Sequence, residues 1–207
     1  MVTPAALTEE DHERLTREIR DAEAATSGEI YVVVAHSPDA FRLVPIFWAA
    51  LFALLLAWVL DLGTGLSTSM ILSLQASGFI AVSVLLSVPF LRYRIVPAAL
   101  AEDAAHRAAH AQFMAHGVHL TPARTGVLIY VSLLPRRIEI LADSGIHAKL
   151  DQAVWDEAVA RLAGEIRNGP LSQALAHAIR DLGALLAVHF PRAKGDRNEL
   201  PNRVIEV

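Results

Sequence analysis

TGVLIYVSLLPRRIEILADSG, residues Thr125 to Gly145, decides how this 207-residue chain folds. Val127 to Leu133 is a run of aliphatic, β-branched and aromatic residues, the composition of a strand buried on both faces. Arg137 to Leu141 instead alternates Ile138 and Ile140 with Arg137 and Glu139, which marks a strand near a sheet edge. Leu134-Pro135-Arg136 separates the two and predicts a tight antiparallel hairpin. Tyr130 is read as a core position of the first of these strands.

Helices are expected on either side. Val96 to His116 is rich in Ala and His, carries Phe113 as a core residue, and is closed by Gly117 as a C-cap would close it. Downstream, Lys149 to Arg167 repeats Leu150, Val154, Ala158 and Leu162 at helical spacing. Pro170 to Phe190 does the same with Leu171, Leu175, Ile179, Leu182 and Leu186. Trp155 suits either packing under its helix or an interaction surface. From Arg192 on the chain is charged and is expected to be a loose tail, residues 192–207.

Near the N-terminus, Leu7 to Ala25 reads as an amphipathic helix with Thr8 as N-cap, acids in its first turn, and Leu15 and Ile19 on a buried face. Thr26-Ser27-Gly28 stops it, and EIYVVVAH from Glu29 is a buried strand. A right-handed crossover makes this strand parallel to the one at Val127, while the third turns back antiparallel. The soluble part is therefore expected to be an α/β sandwich split in sequence, residues 1–42 and 92–191.

What splits it is a pair of apolar runs, VPIFWAALFALLLAWVL from Val44 to Leu60 and MILSLQASGFIAVSVLLSVPFL from Met70 to Leu91. Neither holds a charge, and at about 1.5 Å per residue each can cover a hydrocarbon core of about 30 Å. Residues 43–91 are thus read as a transmembrane hairpin with the bilayer as its partner. Ala49, Ala53 and Ala57 in one run, and Ser69, Ser73, Ser77 and Ala81 in the other, form small-residue stripes on which helices approach closely in lipid. The Ser69, Ser73 and Ser77 stripe also offers a face for homo-oligomers. Arg42, Arg92 and Arg94 flank the hairpin and its link carries none, which places both termini in the cytoplasm of a bacterial inner membrane.

Composition narrows the functional classes. A formal net charge of −4 gives no basic footprint for nucleic acid, and the absence of Cys removes any disulfide framework. No Walker loop, GxSxG elbow, HExxH or dinucleotide fingerprint occurs. His106 and His110 stand four apart, a zinc-compatible spacing that a solvated helix face explains more simply.

The segments TSGEIYVVV and RTGVLIYVSLLPRRIEILADSGI, with the two closing helices, resemble the TPM domain family, including its bacterial subgroup with two inserted transmembrane helices. The resemblance implies a small α/β/α sandwich. It also implies two functional classes: auxiliary proteins that assist assembly, repair or regulation of membrane complexes, and metal-dependent acid phosphatases. Many members place Asp or Asn just before the Gly-Val-Leu of the second strand as part of a metal site, where this chain has Arg124 and Thr125. A guanidinium there would repel calcium or magnesium, so no cofactor is expected. Asp143 matches the family's acid after the third strand, and Glu29 joins it by topology as a metal candidate. The expectation is an Arg124–Asp143 pair at the sheet edge away from the bilayer, on a helper protein that binds other membrane proteins.

Overall fold

A computed structural model describes residues 7–36, 41, 43–193 and 198–207, without the side chains of 89 and 90. Arg42, one of the three flanking charges, lies outside the described residues. The chain divides into two compact units, Met1–Ser37 with Ala105–Val207, and Pro38–Ala104.

The first unit is built on a four-stranded sheet in the order β3-β2-β1-β4. Strand β1 (Glu29–Ala35) runs parallel to β2 (Gly126–Ser132), and β2 turns back antiparallel into β3 (Arg137–Ala142). Both β1 and β2 are buried along their whole length, whereas β3 at the edge is half-buried, as its alternation predicts. One face presents Ile30, Val32, Val34, Val127, Ile129 and Val131 to helices α1 (Glu9–Glu23), α7 (Gln152–Asn168) and α8 (Leu171–His189). The opposite face presents Tyr31, Val33, Leu128 and Tyr130 to Ala105, Ala109 and Phe113 of α5 (Ala98–Ala115). This is the expected α/β/α sandwich.

Local chemistry explains the boundaries. Thr8 caps α1 in a full capping box with Asp11. Trp155 is buried in the core, which removes it from the surface. A short helix the sequence reading did not foresee, α6 (Ser144–His147), follows β3 and is capped by Asp143.

The tail differs from expectation. Val204–Glu206 forms β4, parallel to β1, so the segment from Arg192 on is not loose throughout. Its charge suggested solvation, but Val204 seals into the core and the N–H groups of Glu199 and Leu200 are held by a buried carboxylate.

The second unit holds α2 (Val44–Gly63) and α3 (Thr68–Ser87), followed by the short α4 (Pro89–Arg94). The first seven residues of α5 cluster with them, so the unit boundary falls inside that helix rather than at residue 92. Both long helices are long and apolar enough to cross a membrane, and only 11% and 6% of their apolar windows are buried. Ala49 and Ala53 are buried between the helices as expected. The serine stripe is not: Ser69, Ser73 and Ser77 are exposed. The face of α3 toward α2 carries buried Ile71 and half-buried Gly78, where a Cβ would lie 3.0 Å from Leu56 Cδ2. Ser73 and Ser87 donate their hydroxyls to carbonyls four residues back, which satisfies them within α3.

Candidate functional site

Strand direction brings Glu29, Thr125 and Asp143 to one end of the sheet. Glu29 is in register with Gly126 and donates its N–H to the Thr125 carbonyl at 3.1 Å, while Asp143 donates its own to the Gly126 carbonyl at 2.9 Å. The chain leaves β1 for the second unit from the other end, at Ala35.

Asp143 is buried, and one carboxylate oxygen, Oδ1, accepts the Ser144 N–H at 2.6 Å as the cap of α6. Its Oδ2 accepts no hydrogen bond, and the guanidinium of Arg124 stands 3.8 Å away. The expected ion pair is therefore present, at a separation too long for a direct hydrogen bond. Arg124 also donates to the His119 carbonyl at 2.7 Å.

Its backbone is unusual, with φ at 56°, the left-handed region that costs a side-chain-bearing residue roughly 1–2 kcal/mol. Gly145 helps hold it there: its N–H donates to the Arg124 carbonyl at 3.1 Å, and a Cβ on it would sit 2.6 Å from that oxygen. The same turn fixes Thr125, whose hydroxyl donates to the Ser27 carbonyl at 2.7 Å and whose N–H donates to Thr121 Oγ1 at 3.0 Å. Thr125 thus ties the first and second strand entrances together.

Glu29 faces a different set of groups. Its two oxygens accept the N–H groups of Glu199 at 3.1 Å and Leu200 at 3.2 Å, so this carboxylate anchors the C-terminal segment. Beside it lies Glu23, at the end of α1, which the sequence reading did not single out. Its Oε1 accepts the Ile30 N–H at 2.8 Å, and its Oε2 is buried without a hydrogen-bond partner. Burial, and then the neighbouring Glu29 charge, push its carboxyl up to about 8 against the pull of the Ile30 hydrogen bond. The signal was available: Leu15, Ile19 and Glu23 follow at steps of four, so a carboxylate occupies the apolar stripe of α1. Arg20, Ala24, Thr26, Arg192, Asn198 and Asn202 complete the lining of a cavity of about 80 Å³ around this acid pair.

The two candidate zinc ligands lie elsewhere. His106 and His110 are exposed with ring centroids 4.6 Å apart, and His106 Nδ1 is 3.3 Å from Glu139 Oε2. Among the described residues no group of three or more His, Asp or Glu side chains is placed to hold a metal ion. Where the sequence resemblance implied a metal site, the Asp143 carboxylate stands beside the Arg124 guanidinium, and a hard cation takes several oxygen ligands. Buried farther in, the Tyr31 hydroxyl lies 3.1 Å from His116 Nδ1, and His116 Nε2 lies 3.0 Å from Gln112 Oε1. Burial, reinforced by the Arg203 charge, lowers the His116 pKa and favours the neutral ring.

Residues 92–185 match the TPM domain family. Residues 92–185 are the TPM-like part of the chain. The match starts at Arg92, so β1 lies outside the matched stretch and joins β2 by parallel pairing. A search among curated proteins found no match. The BA42 protein of the psychrophilic bacterium Bizionia argentinensis, solved by NMR, superposes with a TM-score of 0.63 at 22% identity. The alignment covers 98% of this chain and 97% of that one, and it shows a shared fold.

Proposed function

We propose that this chain is a membrane-anchored TPM module that binds other membrane proteins and assists their assembly, repair or regulation. The observation that carries this reading is Arg124. Its guanidinium stands beside Asp143 at the position where the resemblance calls for a metal-binding acid, and the second candidate acid, Glu29, is committed to the C-terminal segment. That arrangement supports a surface for binding rather than a centre for metal-dependent hydrolysis.

Anchoring follows from α2 and α3. Leu54, Leu55, Trp58, Ile80 and Val84 are exposed on a pair of helices that a bilayer would cover. Arg92 and Arg94 on α4 then face the cytoplasm with both termini. In that setting the outward Ser69, Ser73 and Ser77 are available for lateral packing with another helix.

The test pairs two measurements on the detergent-solubilised chain. Titration with calcium, magnesium, manganese and zinc is combined with a phosphatase assay of wild type and Asp143→Ala, and photo-cross-linking in native membranes follows. The module reading expects no activity dependent on Asp143 and discrete cross-linked membrane proteins. Tight metal binding with activity lost in Asp143→Ala would make the chain a tethered TPM phosphatase instead.

A further inference from the structure

The edge of the sheet at β1 is covered by the last residues of the chain, and the way they are held has the form of a recognition site. Three registers pair β4 with β1, Val32 with Val204, Val33 with Ile205 and Val34 with Glu206. The ladder extends by two further bonds, from the Val207 N–H to the Val34 carbonyl at 3.0 Å and from the His36 N–H to the Val207 carbonyl at 2.9 Å. These bonds read only an extended backbone.

Side chains add selectivity. Val204 enters the core on the α1, α7 and α8 face, and Ile205 packs on the α5 face beside Tyr31 and Val33. Glu206 returns to the first face, where His12 Nε2 from α1 donates to its Oε1 at 2.8 Å and His36 Nε2 to its Oε2. The edge therefore holds an aliphatic residue, a second aliphatic residue and an acid, in parallel with β1.

By comparison with the seven registers between β1 and β2, a three-residue strand is a light attachment. We propose that β4 is a displaceable occupant of a strand-acceptor edge, and that the edge takes an extended aliphatic-aliphatic-acidic segment of a partner protein. The bound tail acts as an internal competitor, so only a segment presented at high local concentration displaces it. This proposal rests on the reading of the chain as an interaction module and names the chemistry of one docking surface.

The experiment compares the full-length wild type with full-length Glu206→Lys, which places a cation against His12 and His36 and loosens β4. The probe is fluorescein-labelled NRVIEV, the sequence of residues 202–207. Fluorescence anisotropy is expected to show at least tenfold tighter binding to the variant, with faster exchange of the His36 amide and no binding of the control NRVIKV. If Glu206→Lys does not fold, Glu206→Gln replaces it with the same expectations. Unchanged His36 exchange would mean that β4 is not displaceable, and faster exchange without peptide binding would mean that the edge accepts no strand in trans. Either result overturns the proposal, as does equal binding of NRVIKV. A strand-exchanged dimer that the peptide dissolves would put a second copy in place of the partner and also overturn it. Partners cross-linked through α7 or α8 while the peptide fails would leave the module reading standing and remove this surface alone.

Discussion

Two acids at one end of the same sheet are neutralised by different means. At the β3 side, Asp143 has a guanidinium 3.8 Å away and a helix N–H to bind. At the β1 side, Glu23 faces another carboxylate, and burial with that neighbour raises its pKa until the acid holds its proton to about pH 8. At Glu23 burial and a like-charged neighbour outweigh the Ile30 hydrogen bond and the Arg192 charge, so this carboxyl takes up a proton. The state of Glu23 therefore changes with pH close to neutrality.

Glu23→Gln should break this comparison most strongly. Folded Glu23 keeps its proton to about 8 while the unfolded acid releases it near 4.5, so the folded state binds more protons in that window and wild-type stability falls as pH rises through it. Gln cannot ionise. Urea denaturation at a series of pH values should show the slope flattened and the variant more stable at pH 8.5, on the order of a few kcal/mol. Parallel pH profiles would mean that Glu23 does not titrate in this range.

Removing the neighbour tests the same side from another direction. Glu29→Ala leaves the Glu199 and Leu200 N–H groups without their acceptor, a loss expected at roughly 2–3 kcal/mol, with faster amide exchange at both residues. Unchanged exchange would show that Glu29 does not anchor the segment.

On the β3 side, Arg124→Asp should turn the ion pair into a two-carboxylate site. Calorimetry is expected to detect calcium binding with Kd on the order of 0.1–1 mM, the weak end of oxygen-ligand sites. A heat signal indistinguishable from wild type would mean that Arg124 does not stand in for a cation. The smallest effect is expected from Arg124→Gly, where relief of the left-handed backbone, about 1 kcal/mol, offsets a surface ion pair of about 0–1 kcal/mol. Thermal melting should place this variant within about 1 kcal/mol of wild type.

Much of this was legible in the sequence because periodicity and strand direction are local properties that propagate. The density of Val and Ile in β1 and β2 fixed two-sided burial, and the antiparallel turn at Pro135 carried Asp143 back to the end where Glu29 begins. What escaped depended on long-range pairing. Val204–Glu206 follows Pro201 and Arg203 at the end of a charged segment, and its strand exists only because β1 offers an edge. The serine stripe had the right spacing, yet α3 turns Ile71 and Gly78 toward α2 instead. Glu23 was overlooked because the buried stripe of α1 was followed only through Leu15 and Ile19.

The parallel pairing of β1 with β2 also sets a timetable. When Glu29–Ala35 leaves the ribosome, its neighbour Gly126–Ser132 is still about a hundred residues away, an interval of roughly 5–20 s at ordinary synthesis rates. During that time an apolar strand has no sheet to join, and the segment translated in between is the pair of apolar helices α2 and α3. Capture of that pair by a bilayer would hold the waiting strand at one place until its partner arrives, turning a slow long-range closure into a tethered one.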